Sequence, residues 1–216
     1  MNKPLAASVL WLLAAVPGHA AELIVQVKDH GKPVSDAVVL AMPTDAKNLL
    51  RSKLPADAVD QVDKQFVPYV KPVYVGSRVR FPNSDNIRHQ VYSFSSAKKF
   101  ELPLYAGATA APVVFDKPGV VVLGCNIHDW MIGYIYVADT PFFAKTEGAG
   151  TVTLSDLPPG EYTVRVWHPS MAEHAEESTA RRLTLSADAP ATLEWALSLK
   201  PIFRVPRVST SGASVY

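Results

Sequence analysis

Within the stretch Gly124-Cys125-Asn126-Ile127-His128-Asp129-Trp130-Met131, side chains that bind soft metal ions recur at every third position: Cys125, His128 and Met131. Residues 120–123 (VVVL) before it and 134–137 (YIYV) after it read as strands, so the three donors share a short loop at one rim of a β-structure. Thiolate, imidazole and thioether together suit copper. Two histidines and a cysteine in a trigonal plane, with a weak axial methionine, form an electron-transfer site. Such a site needs a second histidine, and the chain offers His89.

Each donor also has an ordinary reading. A single buried thiol is commonly a small hydrophobe, and a lone histidine is commonly a surface or satisfied core residue. Export sharpens the choice. Residues 1–20 have the form of a signal peptide: Asn2 and Lys3, an apolar stretch over 5–16, then Gly18-His19-Ala20 before a cut at Ala21. The apolar stretch is short for a bilayer span, so the mature chain is expected in the periplasm, without stable membrane insertion. In an oxidising compartment the only cysteine of the chain is buried and inert, paired to another molecule, or held by a metal. His128 and Met131 beside it favour the metal. A Cys-His nucleophilic pair is the other chemistry on offer, but such pairs come from distant positions and are oriented by a third group. No catalytic residue is assigned, and the chain is read as a non-enzyme. His168 and His174 are read as a sandwich-edge residue and a solvated one.

Charge points to no polyelectrolyte partner. Twenty-one basic residues face 20 acidic ones, and without the leader, which holds Lys3 alone, the balance is 20 to 20. With no basic cluster there is no footprint for nucleic acid. Eighteen prolines against 11 glycines favour strands and loops over long helices. The elements that must carry the loop are short apolar or alternating runs at 23–27, 34–41, 78–81, 87–94, 102–105, 113–115 and 120–123, punctuated by Pro, Gly, Asn and Asp. That spacing predicts an all-β sandwich. Helical signal is confined to 45–54 and 56–64, inside a polar stretch over 43–64 that reads as a connection rather than core.

Residues from about 65 to 137 resemble a cupredoxin, nearest in loop spacing to amicyanin and related to plastocyanin and pseudoazurin. The matching pieces are Phe66-Val67-Pro68 before Val73, Val75-Gly76-Ser77-Arg78-Val79-Arg80-Phe81, Asn83-x-Asp85 ahead of His89, Phe115-Asp116-Lys117-Pro118-Gly119, and Cys125-x2-His128-x2-Met131-x-Gly133. The resemblance implies a Greek-key β-sandwich holding one mononuclear type 1 copper, with His89, Cys125 and His128 in the plane and Met131 axial. Trp130, Ile132 and Pro141-Phe142-Phe143 lie near the loop in sequence, and the resemblance implies an apolar docking patch around the loop histidine, to which Trp130 belongs unless it packs in the core. Three positions depart from the pattern: Arg88 before the first histidine, Gln90 after it, and Gly124 where an aromatic is frequent. These alter the surroundings that orient ligands and tune potential.

A second resemblance covers the flanks. Leu157-Pro158-Pro159-Gly160 followed by the Tyr162 strand is similar to the carboxypeptidase regulatory-like, transthyretin-like β-sandwich, and so is the pair of runs at 23–27 and 34–41 around Gly31-Lys32-Pro33. The expected organisation is therefore a leader (1–20), first strands of a small sandwich (21–45), an inserted cupredoxin domain (60–140), the rest of the small sandwich (141–199) and a disordered tail (200–216). The alternative is one contiguous cupredoxin that uses residues 23–39 as its first strands. By resemblance to bacterial proteins labelled methylamine utilization proteins, the chain is expected to carry single electrons. Its expected partners are redox proteins such as a c-type cytochrome or a quinoprotein amine dehydrogenase. A copper carrier or sensor of the envelope, without electron turnover, is the other function expected of the same residues.

Overall fold

A computed structural model of the chain describes residues 20–45, 56–107, 111–172 and 175–201. Residues 1–19 of the leader, the helical signal over 46–54, His174 and the tail beyond 201 lie outside them. Strands β1 (Ala21–Asp29), β2 (Lys32–Pro33) and β3 (Val38–Pro43) open the chain. Then come β4 (Asp57–Ala58), β5 (Asp60–Val62), β6 (Gln65–Val67), β7 (Val70–Tyr74), β8 (Ser77–Arg80), β9 (His89–Ser93), β10 (Phe100–Tyr105), β11 (Val113–Phe115), β12 (Gly119–Gly124) and β13 (Ile132–Ala138). The chain closes with β14 (Phe143–Lys145), β15 (Thr151–Leu157), β16 (Gly160–Trp167), β17 (Arg181–Leu185) and β18 (Ala191–Leu197). The fold is all-β.

Two sandwiches result. One packs the sheet β15-β1-β18, with β2 on its edge, against the sheet β14-β3-β16-β17. Its core takes Leu23, Val25 and Val27 from β1, Val39 and Ala41 from β3, Tyr162, Val164 and Val166 from β16, and Trp195 from β18. The other packs the sheet β10-β9-β12-β13-β7 against β11-β8-β4, with the hairpin β5-β6 beside them. Its core holds Phe66, Val79, Phe81, Val91, Phe115, Val121, Leu123, Ile135 and Val137. Among the described residues, β1 and β3 pair with strands after residue 140 and with β2, and with no strand between 57 and 138.

The strands alternate where one face is covered and stop alternating where both are. Residues 21–27 of β1 read buried, half-buried, buried throughout, as a strand with one apolar face should. In β3, Val39 and Ala41 enter the first core while Val38 and Leu40 turn outward and are still buried. They meet Val70, Tyr136 and Ala138 of the second sandwich and Trp167 of β16. This third apolar cluster is the seam. Trp167 lies 5.8 Å from the ring of Tyr134 and 5.3 Å from that of Tyr136, within the range of favourable aromatic pairs. β13, which leaves the Cys-His-Met loop, thus has Ile135 and Val137 in its own core and Tyr134 and Tyr136 in the seam.

The expected helix over 56–64 is not there. Residues 57–62 alternate buried and half-buried, so their period is two. β4 pairs with β8, and Val59 is fully buried in the second core rather than in a polar connection. Asp63 and Lys64 take left-handed φ angles of 51° and 57° and close β5 onto β6 with Val62 opposite Gln65, the backbone a two-residue hairpin requires. Pairing with the sheet overrides the weak helical preference of this stretch.

A small polar cluster rims the seam. Tyr136 Oη donates to Glu176 Oε1 at 2.5 Å, and Arg165 reaches Glu176 at 3.8 Å and Asp139 at 3.5 Å. Burial raises the Glu176 carboxyl above its usual range, and the Tyr136 hydroxyl and the Arg165 charge oppose that without cancelling it. A folded state that prefers the protonated acid gains stability below the ordinary carboxylate range and loses it as the pH rises through the raised value. Glu176→Gln removes that loss. Its melting temperature relative to the parent is therefore higher at pH 7 than at pH 4, and thermal melts that differ equally at both would contradict it.

Candidate metal centre

β12 and β13 are antiparallel, with Gly124 opposite Ile132, so residues 125–131 must cross from one strand to the other in a tight arch. Two backbone bonds shape that arch: Met131 N–H donates to the His128 carbonyl at 2.9 Å, and Ile132 N–H to the Trp130 carbonyl at 3.1 Å. β9 runs along the other side of β12, and its Tyr92 pairs with the same Gly124. This places His89, the first residue of β9, over the arch although it lies 36 positions upstream of Cys125.

Cys125 Sγ is 3.8 Å from Nδ1 of His89 and 3.8 Å from Nδ1 of His128. The three donor atoms all lie within 4.8 Å of one another. Metal–nitrogen and metal–sulfur bonds of about 2.1 and 2.3 Å, opened to about 120°, span about 3.8 Å. One ion therefore fits between the sulfur and each imidazole without moving a strand. His89 is fully buried, Cys125 nearly so, and His128 keeps one side toward solvent. Burial first, then the neighbouring His89 and Lys64, lowers the pKa of His128, with Asp85 pulling the other way. The neutral imidazole is the form that ligates a metal. Met131 is 1% exposed, packs in the same core cluster as Cys125 and lines the same ≈ 430 Å³ groove. A thiolate, two imidazoles and an adjacent thioether form a soft donor set that fits one mononuclear copper.

The surroundings explain one departure in the sequence pattern and add residues the pattern left without a role. A Cβ on Gly124 would meet Tyr92 at Cζ 2.6 Å and Oη 2.8 Å. The aromatic ring beside the cysteine is thus supplied by the neighbouring strand, and a side chain before Cys125 would push that ring outward. Asp85 contacts Nε2 of His89 at 2.6 Å. Burial opposes charge on Asp85, but the backbone N–H of Lys64, the bond to His89 and the N–H of Asp63 outweigh it and hold the carboxyl below its usual range. Buried Asn83 donates to the carbonyls of Ile87 and Tyr105 at 2.9 Å each, pinning the loop ahead of His89. The spacing Asn-x-Asp-x3-His was visible in the sequence; its role was not, because nothing in a one-dimensional pattern says that the Asp63–Lys64 turn comes back to meet it.

Around the arch, Trp130 is 49% exposed with its ring 5.2 Å from that of His128, and Ile127 and Ile132 are similarly open. Pro141-Phe142-Phe143 do not join this patch. Phe142 packs on the core of the other sandwich and Phe143 on the seam, because the chain turns away after Ala138. His168 is half-buried, its Nδ1 accepting from the Ser170 N–H at 3.1 Å. The described residues show one group of His, Cys, Asp and Glu donors close enough to hold an ion, and His168 is outside it.

Two glycines at the site differ in what they forbid. A Cβ on Gly133 would lie 2.7 Å from Cβ of Phe66, an atom fixed to a buried strand, whereas on Gly124 it meets the outer end of the half-exposed Tyr92 ring, which can swing. Gly133→Ala is expected to cost about 1–3 kcal/mol and Gly124→Ala less. Denaturant melts of the metal-free protein check this, and the reverse order would contradict the packing described.

No protein-family profile matches the chain, and no curated protein does. Solved structures with a similar arrangement of strands include a Cu-containing nitrite reductase from Thermus scotoductus, 28% identical, with a TM-score of 0.37 over 45% of this chain and 25% of that one. A reduced Cu(I) form of an amicyanin mutant is 21% identical, with a TM-score of 0.35 over 46% of this chain and 98% of that one. A purple cupredoxin from Nitrosopumilus maritimus is 23% identical, with a TM-score of 0.34 over 39% of this chain and all of that one. The chain thus spans a quarter of the length of the nitrite reductase it matches.

Proposed function

We propose that the chain is a cupredoxin-type, one-electron copper carrier of the periplasm, with the copper-bearing sandwich inserted into a smaller carboxypeptidase regulatory-like one. The observation that carries this reading is the convergence of Sγ of Cys125 and Nδ1 of His89 and His128 to within 4.8 Å, on strand ends that are already paired. Copper bound there supplies the Cu(I)/Cu(II) couple. The chain's part is to keep the donors still: His89 is tied at Nε2, the arch is hydrogen-bonded to itself, and Met131 is packed in the core. Little ligand movement between oxidation states means a low reorganisation cost, which is what an electron carrier needs.

The half-open face of His128, flanked by Trp130, Ile127 and Ile132, is the natural exit for an electron. Its apolar rim, on a chain of near-zero net charge, favours weak apolar docking over charge steering. A c-type cytochrome or a quinoprotein amine dehydrogenase is the partner class proposed, and with it a link to amine oxidation.

Copper-loaded mature protein is expected to show the intense visible charge-transfer band and the narrow paramagnetic signature of a copper–thiolate bond, and Cys125→Ser to lose both. Colour that survives this change would sink the ligand assignment. Trp130→Ser should leave the spectrum intact and slow reduction of a c-type cytochrome by roughly tenfold, the effect of removing one buried aromatic contact from an interface. Slow electrochemistry together with metal transfer to an apo-acceptor would instead mark a copper carrier.

A further inference from the structure

His89 is held by a carboxylate that is itself held. Asp85 Oδ2 lies 2.6 Å from Nε2 of His89, and the two side chains are 12% and 0% exposed. Asp63 N–H donates to Asp85 Oδ1 at 2.7 Å and Lys64 N–H donates to Oδ2 at 2.9 Å. Both donors come from the left-handed turn that closes β5 onto β6. From below, the Asp85 N–H donates to Oδ1 of Asn83 at 3.1 Å. Both carboxylate oxygens and the backbone are therefore fixed by groups outside the metal loop.

Both oxygens of Asp85 already accept backbone N–H groups, so the carboxylate meets His89 as a hydrogen-bond acceptor. Nε2 must then be the protonated nitrogen of His89, and Nδ1, the atom 3.8 Å from Cys125 Sγ, carries the lone pair. We propose that Asp85, clamped by the Asp63–Lys64 turn, is a positioning residue that sets the His89 tautomer for metal binding and, through its negative charge, favours the oxidised over the reduced ion. The inference rests on the copper reading of the site. Its physical basis is general: a carboxylate behind a ligating imidazole fixes the ring and makes the nitrogen facing the metal a better donor. A fixed negative charge also stabilises a divalent ion more than a monovalent one.

Two variants separate the roles. In Asp85→Asn the amide oxygen can stay toward Nε2 and Lys64 N–H, where two donors need it, leaving one mismatch at Asp63 N–H. That variant keeps the bond to His89 and loses the charge, while Asp85→Ala loses both. In metal-free protein, nitrogen-15 resonances of the His89 ring should show Nε2 protonated and Nδ1 bare in the parent and in Asp85→Asn, and a mixture in Asp85→Ala. In the loaded protein, Cu(II) and Cu(I) affinities are measured separately with competing chelators. Asp85→Asn should lower the Cu(II) affinity about tenfold and the Cu(I) affinity less, and Asp85→Ala should lower the Cu(II) affinity by up to about 100-fold. Each tenfold change in the ratio of the two affinities raises the potential by about 59 mV for a one-electron couple. A parent ring protonated at Nδ1, or a tautomer unmoved in Asp85→Ala, overturns the inference, and so does an equal loss of both affinities. A parent that takes up no copper overturns the reading of the site instead, and the nitrogen spectrum of the metal-free protein still decides the tautomer.

Discussion

Three strands meet at one residue. Gly124 is paired with Ile132 of β13 on one side and with Tyr92 of β9 on the other. Three of the four donors lie within three positions of that meeting point, Cys125 one residue after Gly124, Met131 one before Ile132 and His89 three before Tyr92, and His128 stands mid-arch, four residues from both Gly124 and Ile132. The pairing register therefore sets the geometry of the centre, and a slip of one residue in β9 would turn His89 to the opposite face of its strand, away from the arch. The Tyr92 ring covers the place where a Cβ on Gly124 would stand, so the glycine lets that ring lie against the arch.

The seam extends this order to the second sandwich. β13 leaves the metal arch and is buried on both faces, with Ile135 and Val137 inward and Tyr134 and Tyr136 against Trp167, Val38 and Leu40. A strand packed on both sides has little room to shift, so the start of β13, next to Met131, is anchored by contacts from both halves of the molecule. The polar rim at Glu176 and Arg165 closes one edge of the same seam. The small sandwich thus braces the wall from which the arch springs, whatever further partner it meets.

A second brace is polar. The β5-β6 hairpin carries little core of its own beyond Gln61 and Phe66, yet its turn is what holds Asp85, and through Asp85 the buried ring of His89. A buried imidazole without a partner for its second nitrogen would carry the cost of an unsatisfied polar group. The exposed large apolar side chains among the described residues, Phe94, Leu104, Val122, Ile127, Trp130 and Ile132, all belong to the metal-bearing sandwich. That is where a surface kept open for contact is to be sought.

The sequence alone determined the strand content and the nature of the donors. The apolar run at 23–27, alternation in 78–81, turn residues at Gly76 and over 82–86, and a Cys-x2-His-x2-Met spacing are local properties, and local properties survive being read in one dimension. It also carried a misleading local signal: the helical preference of residues 56–64 was real but weak, and pairing of β4 with β8 outweighed it. Tertiary structure decided the rest. Why the residue before the cysteine is glycine, which carboxylate stands behind the imidazole, and why Phe142 and Phe143 leave the loop for the other core all depend on which strands become neighbours. Strand neighbours are chosen by the burial of whole faces at once, a sum over contacts far apart in the chain that no window along it contains.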